Sequence, residues 1–255
     1  RPRRHPLFLD QELTTGKGQE VAATQRLLTR LPPAPGCVVT FDALHANAHT
    51  MAQVVGGQGL DYLIQVKGNA LALATDLTAS LERAGAACQR AHTVDQGHGR
   101  IERRDLELAP TSPLLTGWPH TFTAIRVTRY RACRRRGETI SESQDTALYV
   151  GSFAPTTHPP AQVLRLTRGH WGIENRLHHR KDRSLDEDRN RAATTGSGPV
   201  MCAIRSLVAL VLDRATESVD LLRIRFARCP HLLLKLLFSR SLAEWERCAQ
   251  PYHRR

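Results

Sequence analysis

The amino-acid sequence predicts an α/β fold with a β-rich middle segment and C-terminal helices. Between residues 20 and 84, short runs rich in β-branched and aromatic residues alternate with stretches of helical apolar spacing. Between about residues 98 and 155, β-like runs follow one another without an intervening helix. After residue 159 the apolar spacing becomes helical again. Alternating strands and helices are typical of a sheet with parallel strands.

The first half of the chain shows the alternation most clearly. In chain order, the predicted elements are a helix over 20–31, a strand over 37–41, a helix from 47 or 49 to 56, a strand over 62–66 and a helix over 71–84. Proline or glycine residues follow each of the three helices, and these residues end helices for backbone reasons. The two strands are therefore expected to lie parallel in one sheet.

The middle of the chain predicts antiparallel strands, and the rest predicts helices. The β-like runs cover residues 100–108, 122–131 and 147–153 and are separated by polar, arginine-rich turns. A long helix is predicted from Pro159 to about Lys181, and a break at 196–199 precedes a buried helix over 200–214. The last 40 residues show helical patterning without a motif that indicates chemistry.

Charge favours a polyanionic partner. The net charge is +12 at pH 7, which favours nucleic acid first and an anionic membrane surface second. No apolar run approaches the roughly 18–20 residues that would span a bilayer, and the first residues do not resemble a secretory signal. We therefore expect a cytoplasmic protein that does not bind membranes. The cysteines are not spaced as in a zinc knuckle, so a metal ion would be held by oxygen ligands.

Two carboxylates stand where metal-dependent enzymes place them. Asp42 directly follows an apolar strand, and strand ends carry the sites of open α/β sheets. Taken alone, Asp42 is better explained as a helix N-cap or turn residue, and Glu174 alone as a solvated helix glutamate. Glu174 shares one helix face with His170, His178 and Lys181, which suits a place where metal and phosphate meet. Mg²⁺ prefers oxygen ligands, and paired ions can stabilise the attacking and leaving oxygens of a phosphodiester.

Four segments together carry a family resemblance. They are residues 38–43 (V-V-T-F-D-A), 61–69 (D-Y-L-I-Q-V-K-G-N), 98–103 (H-G-R-I-E-R) and 170–191, which begins H-W-G-I-E-N. In order and spacing, from about residue 5 to 214, the chain resembles the ISAs-type branch of the DDE transposases of bacterial insertion sequences. The resemblance implies an RNase H-like fold with a β-rich insertion at about 98–155. It also implies a catalytic core over 1–215 and a helical tail over 216–255.

The resemblance also implies site residues and a cofactor. Asp42 corresponds to the second catalytic aspartate and Glu174 to the catalytic glutamate, and both are expected to bind Mg²⁺ or Mn²⁺. Family-typical positions expected to contact phosphate or the active site are Lys67, Asn69, His98, Arg100, His170, Asn175, His178 and Arg189. Lys181 is a further candidate phosphate contact, with surface charge as the alternative interpretation. Arg134, Arg135 and Arg136, with Arg126, Arg129 and Arg131 nearby, form the basic tip of a β-hairpin. This tip is either solvated or, as we expect, in contact with the DNA backbone.

The family pattern also has an earlier aspartate, on a strand that precedes the Asp42 strand. We expect this chain to begin within the third strand of the fold, at about residues 5–9, and to lack the first two strands and that aspartate. The expected function is transposition: binding of insertion-sequence ends and target DNA, metal-dependent strand cleavage and transfer, and a homo-oligomer in the synaptic complex at the nucleoid. The alternatives are a truncated, non-catalytic DNA-binding transposase remnant and a host RNase H-like nuclease.

Overall fold

The computed structural model describes residues 9–12, 14, 18–97, 99–135, 138–172, 197–213, 224 and 226–231. The chain divides into two compact units, one of residues Thr14–His170 and the other of Arg1–Leu13 with Trp171–Arg255. The first unit contains a mixed α/β arrangement around one sheet. The predicted α/β class is thereby confirmed.

The sheet has six strands in the order β1-β2-β6-β5-β4-β3. The strands are β1 (Val38–Phe41), β2 (Asp61–Val66), β3 (Gln89–Gly97), β4 (Arg100–Pro110), β5 (Thr123–Arg135) and β6 (Glu138–Gly151). Strands β1 and β2 are parallel, as the sequence predicts, and every other neighbouring pair is antiparallel.

Capping residues explain where the second helix begins and where the third helix ends. The helices are α1 (Glu20–Arg30), α2 (Ala48–Ala52), α3 (Leu71–Ala84), α4 (Pro113–Thr116), α5 (Pro160–Gly172) and α6 (Ser197–Asp213), and a π-helical turn over Gln53–Gly57 continues α2. The side chain of Asn47 accepts a hydrogen bond from the amide of Thr50 at 2.9 Å and so caps α2. Helix α3 ends at Gly85, whose φ of +49° favours glycine.

Helices cover both faces of the sheet. Side chains alternate along β2, so Tyr62 and Ile64 pack in a cluster with Leu77 of α3. Leu63 points to the other face, where it belongs to a cluster with Val163 of α5. Strand β2 is therefore buried on both sides, and it is the centre of the core.

The antiparallel strands extend past the end of β2. Val66, the last residue of β2, pairs with Leu148 of β6, which in turn pairs with Arg126 of β5. Residues of β6 before Leu148 continue beyond the carboxyl ends of β1 and β2 for about 30 Å, at roughly 3.3 Å per residue. We call this extension the arm; it comprises residues 91–97, 100–106, 127–135 and 138–147.

Two strand boundaries differ from the sequence prediction. Strand β3 was not predicted, and β6 begins at Glu138 instead of residue 147. Both segments lie in the arm, where side chains on both faces are mostly polar or exposed. Strand periodicity comes from burying one face, so the arm gives little of that signal.

The expectation of a buried helix over residues 200–214 is wrong for several of its apolar side chains. Helix α6 leaves Val200, Ile204 and Leu207 at least 48% exposed. The apolar composition of a helix does not by itself determine that another part of the protein packs over it. The helix also begins at Ser197, so Pro199 lies in its first turn, where its missing amide costs little, and does not form a break. Within the described residues, no helix is both long and apolar enough to cross a membrane.

We predict that Glu107 contributes pH-dependent stability. Partial burial alone would raise the pKa of Glu107, but hydrogen bonds and charges from Arg126 and Arg90 outweigh it and lower that pKa below its ordinary 4.5. The ion pairs of Glu107 with Arg126 and Arg90 therefore stabilise the fold at pH values above the ordinary pKa. This stabilisation is lost as the pH falls through the lowered pKa. Glu107→Gln should cost about 1 kcal/mol or less at neutral pH and flatten the acid-side fall in unfolding free energy. Urea unfolding from pH 3 to 7 measures both.

The control for this prediction is Glu142→Gln, at an exposed position of β6 in the arm. It should leave the acid-side slope of the unfolding free energy at the wild-type value. An unchanged slope in Glu107→Gln would contradict the assigned ion pairs.

Candidate active site at the end of β1

Asp42 lies immediately after β1, on the sheet edge from which the arm extends. It precedes a 3₁₀ turn over Ala43–His45 in the N-cap position, but its side chain makes no capping hydrogen bond. The carboxylate is 55% exposed. Asp42 is therefore a turn residue by its backbone position, while its carboxylate oxygens remain available for other partners.

His170 brings helix α5 to this carboxylate. Its Nδ1 lies 3.1 Å from the hydroxyl oxygen of Thr40, within hydrogen-bond distance. Its Nε2 lies 3.7 Å from Oδ1 of Asp42, an electrostatic contact slightly longer than a hydrogen bond. Since the side chain of His170 is only 16% exposed, this contact holds the start of the sequence motif H-W-G-I-E-N beside the strand-end aspartate.

His45 is a second imidazole in the same neighbourhood. Burial lowers the pKa of His45, the charges of Asp42 and Glu20 act in the opposite direction, and His170 lowers it further. Its ring lies 5.8 Å from that of Phe41, and its Nδ1 is buried with no hydrogen-bond partner in the described part of the chain. The sequence did not identify His45, which no spacing rule connects to Asp42.

The loop that follows β2 supports the loop that follows β1. The Nδ2 group of Asn69 donates a 2.7 Å hydrogen bond to the carbonyl oxygen of Ala43, the residue after Asp42. Lys67, two residues earlier, is exposed at the same edge. Because β1 and β2 are parallel, their carboxyl ends meet. The structure thus places Asp42 and the loop that carries Lys67 and Asn69 at the same end of the sheet.

The arm ends where β3 meets β4 and β5 meets β6, and Arg134 and Arg135 are the last residues of β5. Arg100 pairs with Cys133 across the sheet, and the Arg134 amide donates to the carbonyl oxygen of Gly99. A Cβ atom at residue 99 would lie 2.7 Å from the carbonyl oxygen of Arg134. The φ of Gly99 is +70°, so both the available space and the backbone conformation require glycine there. Two turns distant in sequence therefore lie together at the arm tip.

Along strands β4, β5 and β6, carboxylates form ion pairs with arginines. Arg126 pairs with Glu107 at 2.7 Å, and Arg129 pairs with Asp145 at 2.7 Å. The sequence placed both arginines close to the basic hairpin tip. Arg126 instead lies level with the end of β2. Their partners sit on neighbouring strands, and only the register reveals them.

Several predicted site residues lie outside the described part. These are His98, Arg136, Glu174, Asn175, His178, Lys181 and Arg189. For Arg135 the structure describes the backbone at the end of β5. Within the described residues, no group of three or more histidine, cysteine, aspartate or glutamate side chains is arranged to hold a metal ion. Asp42 supplies at this site an exposed carboxylate of the type Mg²⁺ prefers, and Glu174 follows His170 by four residues in the sequence.

Comparison with known proteins gives a family and two relatives. A family model described as transposase DDE domain matches residues 3–197. "Putative protein YbfL" of Escherichia coli (strain K12) is 26% identical over 213 residues, which cover 82% of this chain and 55% of that protein. "H repeat-associated putative transposase YhhI" of the same organism is 25% identical with the same coverage. The chain thus spans about half the length of the curated relatives it matches.

We predict that Asn69 stabilises the loop carrying Asp42. Asn69→Asp keeps the shape of the side chain but replaces the amide donor, so it should cost about 1 kcal/mol of unfolding free energy, as should Asn69→Ala. Amide hydrogen exchange in residues 43–46 should accelerate in both variants. Lys67→Ala, at an exposed position of the same loop, is the control and should change neither quantity. Unchanged exchange in Asn69→Asp would show that the hydrogen bond to Ala43 does not hold the loop.

Proposed function

Because this chain belongs to the transposase DDE domain family, we propose that it is the DNA-cutting core of an insertion-sequence transposase. The proposed activity nicks DNA at the ends of the element and joins the resulting 3′-hydroxyl groups to target DNA. One observation carries the proposal: His170, the first residue of the family's helix motif, contacts Thr40 and the strand-end carboxylate of Asp42.

The proposed fold is RNase H-like, with residues 1–215 as the core and 216–255 as a helical tail. Its support is the parallel pair of β1 and β2, covered by helices on both faces, with Asp42 at a carboxyl strand end. Among the described strands, β1 has a neighbour on one side only. Its other edge is where we place the earlier strands of the family pattern.

We propose that Asp42 and Glu174 hold Mg²⁺ or Mn²⁺. The donor chemistry fits in the described part, because Asp42 offers a carboxylate that is 55% exposed. A bound ion would stabilise negative charge on the attacking and leaving oxygens of a phosphodiester. The chain itself orients the aspartate, through His170 on one side and the loop held by Asn69 on the other.

DNA contacts are proposed for the sheet edge and for the arm tip. Arg126 and Arg129 have carboxylate partners, so they offer phosphate less charge than the sequence suggests. Arg100 and Arg134 at the arm tip are the better candidates, and Arg135, Arg136, His98 and Lys67 are proposed as phosphate contacts on sequence grounds. The net charge of +12 agrees with a polyanionic partner. His178, Lys181 and Arg189 are proposed phosphate contacts on sequence grounds.

A non-catalytic DNA-binding remnant is the second candidate. The observation that favours it is that, within the described residues, no further acidic side chain joins Asp42 in a metal-binding group. A host RNase H-like nuclease is less well supported, since the family match is to transposases. For both the DNA-cutting core and the non-catalytic remnant, we propose a cytoplasmic, nucleoid-associated protein that forms a homo-oligomer with element ends.

We predict that Asp42→Ala and Glu174→Ala abolish Mg²⁺-dependent nicking and leave DNA affinity nearly unchanged. Each change removes a proposed metal ligand without removing positive charge. Nicking of supercoiled plasmid and fluorescence anisotropy with duplex DNA measure the two properties. Glu82→Ala, at an exposed position of α3, is the matched control and should nick as the wild type does.

Three outcomes of this experiment are distinct. Nicking by the wild type that is lost in both variants supports the transposase core. Retained nicking in Asp42→Ala or Glu174→Ala would reject the site assignment. Salt-dependent DNA binding by a wild-type chain that does not nick would favour the non-catalytic remnant.

We predict that the arm tip contacts DNA phosphates. Replacing Arg134, Arg135 and Arg136 with alanine should weaken binding equally for all DNA sequences. The slope of log affinity against log salt should become shallower by about 2 to 3, since each neutralised phosphate contributes roughly 0.9. The control replaces Arg26, Arg30 and Arg83 of α1 and α3, which removes the same charge outside the arm. Equal slopes in the two triple variants would mean that only net charge matters.

A further inference from the structure

Thr40 lies where its hydroxyl can act on the site through His170. Residues 38, 40 and 42 follow one another on one face of β1 and its end, because side chains alternate along a strand. On this face Val38 packs against the cluster that contains Val163 and Leu164 of α5. The Thr40 hydroxyl is the polar group that this strand presents to His170.

The two nitrogens of His170 face two different partners. A neutral imidazole has one N–H donor and one acceptor nitrogen. Since an ionised carboxylate only accepts hydrogen bonds, the favourable arrangement puts the N–H on Nε2, towards Asp42. Nδ1 is then the acceptor, and the hydroxyl of Thr40 is its donor.

We propose that Thr40 is a positioning residue of the site. It donates to Nδ1 of His170 and thereby fixes the tautomer and the ring orientation that direct the Nε2–H group at Oδ1 of Asp42. The inference rests on the proposed function, in which Asp42 is a metal ligand. The contact with His170 restrains the orientation of the Asp42 carboxylate, which would hold the ion in the proposed function. Partners of this kind commonly change metal affinity or activity by about 10- to 100-fold when removed.

Packing alone does not require a threonine at this position. Valine has the same branched shape and a similar preference for strands, and it serves at Val38 on the same face. What threonine adds is a donor within 3.1 Å of Nδ1. Thr40→Val therefore removes the proposed interaction while retaining the shape of the side chain.

The test uses the whole chain, labelled with ¹⁵N-histidine and free of metal, at about pH 8.5, where histidine side chains are ordinarily neutral. The His170 resonances are assigned by their loss in His170→Gln. Wild type and Thr40→Ser should show a single Nε2–H tautomer for His170, whereas Thr40→Val should show a mixture of both tautomers. Thr167→Val is the control, because that buried hydroxyl on the same helix donates to the Leu164 carbonyl. It should give the wild-type pattern.

A nicking assay with the same variants supplies the second measurement. Thr40→Val should lower kcat about 10- to 100-fold with little change in KM for DNA, and Thr40→Ser should restore most of the rate. An unchanged His170 tautomer in Thr40→Val would overturn the proposal, and so would a changed tautomer with an unchanged kcat. If the wild-type chain does not nick DNA, the proposed function fails, and the NMR pattern still decides whether Thr40 sets the His170 tautomer.

Discussion

The burial of β2 on both faces is the constraint on which the other features depend. Tyr62, Leu63 and Ile64 are at most 2% exposed, so each of them is packed against α3 on one face or α5 on the other. A slip of one residue in this strand would exchange the two faces and unpack both helices at once. The fixed register determines where β1 ends beside β2, and hence where Asp42 stands. It also determines that β6 passes the same edge and continues into the arm.

The sequence identifies those parts of the fold that bury apolar side chains with a clear period. The strands near residues 38–41 and 61–66 and helix α3 were predicted within a few residues, because apolar runs end there at proline, glycine or a charged residue. Strand β3 and the first half of β6 were not, since a strand that is solvated on both faces has no apolar alternation. Helix α6 shows the converse: apolar composition predicted burial, and Leu207 is 62% exposed.

The site could be predicted as a set of residues but not as a set of contacts. A carboxylate after a buried strand and a histidine on a helix face are visible in sequence, and the structure places Asp42 and His170 side by side. Which nitrogen faces which partner depends on how α5 lies across β1, and no spacing rule gives this. Likewise, the tie from Asn69 to Ala43 is a local loop contact. The ion pairs of the β5 arginines follow from strand register, which joins Arg126 to Glu107 from a distant part of the chain.

Helix α5 contacts the sheet, the arm and the end of β1, and these contacts differ in strength. Val163 and Leu164 bury it against the sheet, Arg168 pairs with Asp95 of the arm at 2.9 Å, and His170 contacts Thr40 at the end of β1. The Arg168–Asp95 pair is at least 40% exposed on both sides, and ion pairs of that kind contribute about 1 kcal/mol or less. The apolar contacts hold the helix on the sheet but do not distinguish one rotation of its last turn from another. The partly buried contact of His170 is directional. It is therefore the interaction that fixes how the final turn of α5 meets Asp42.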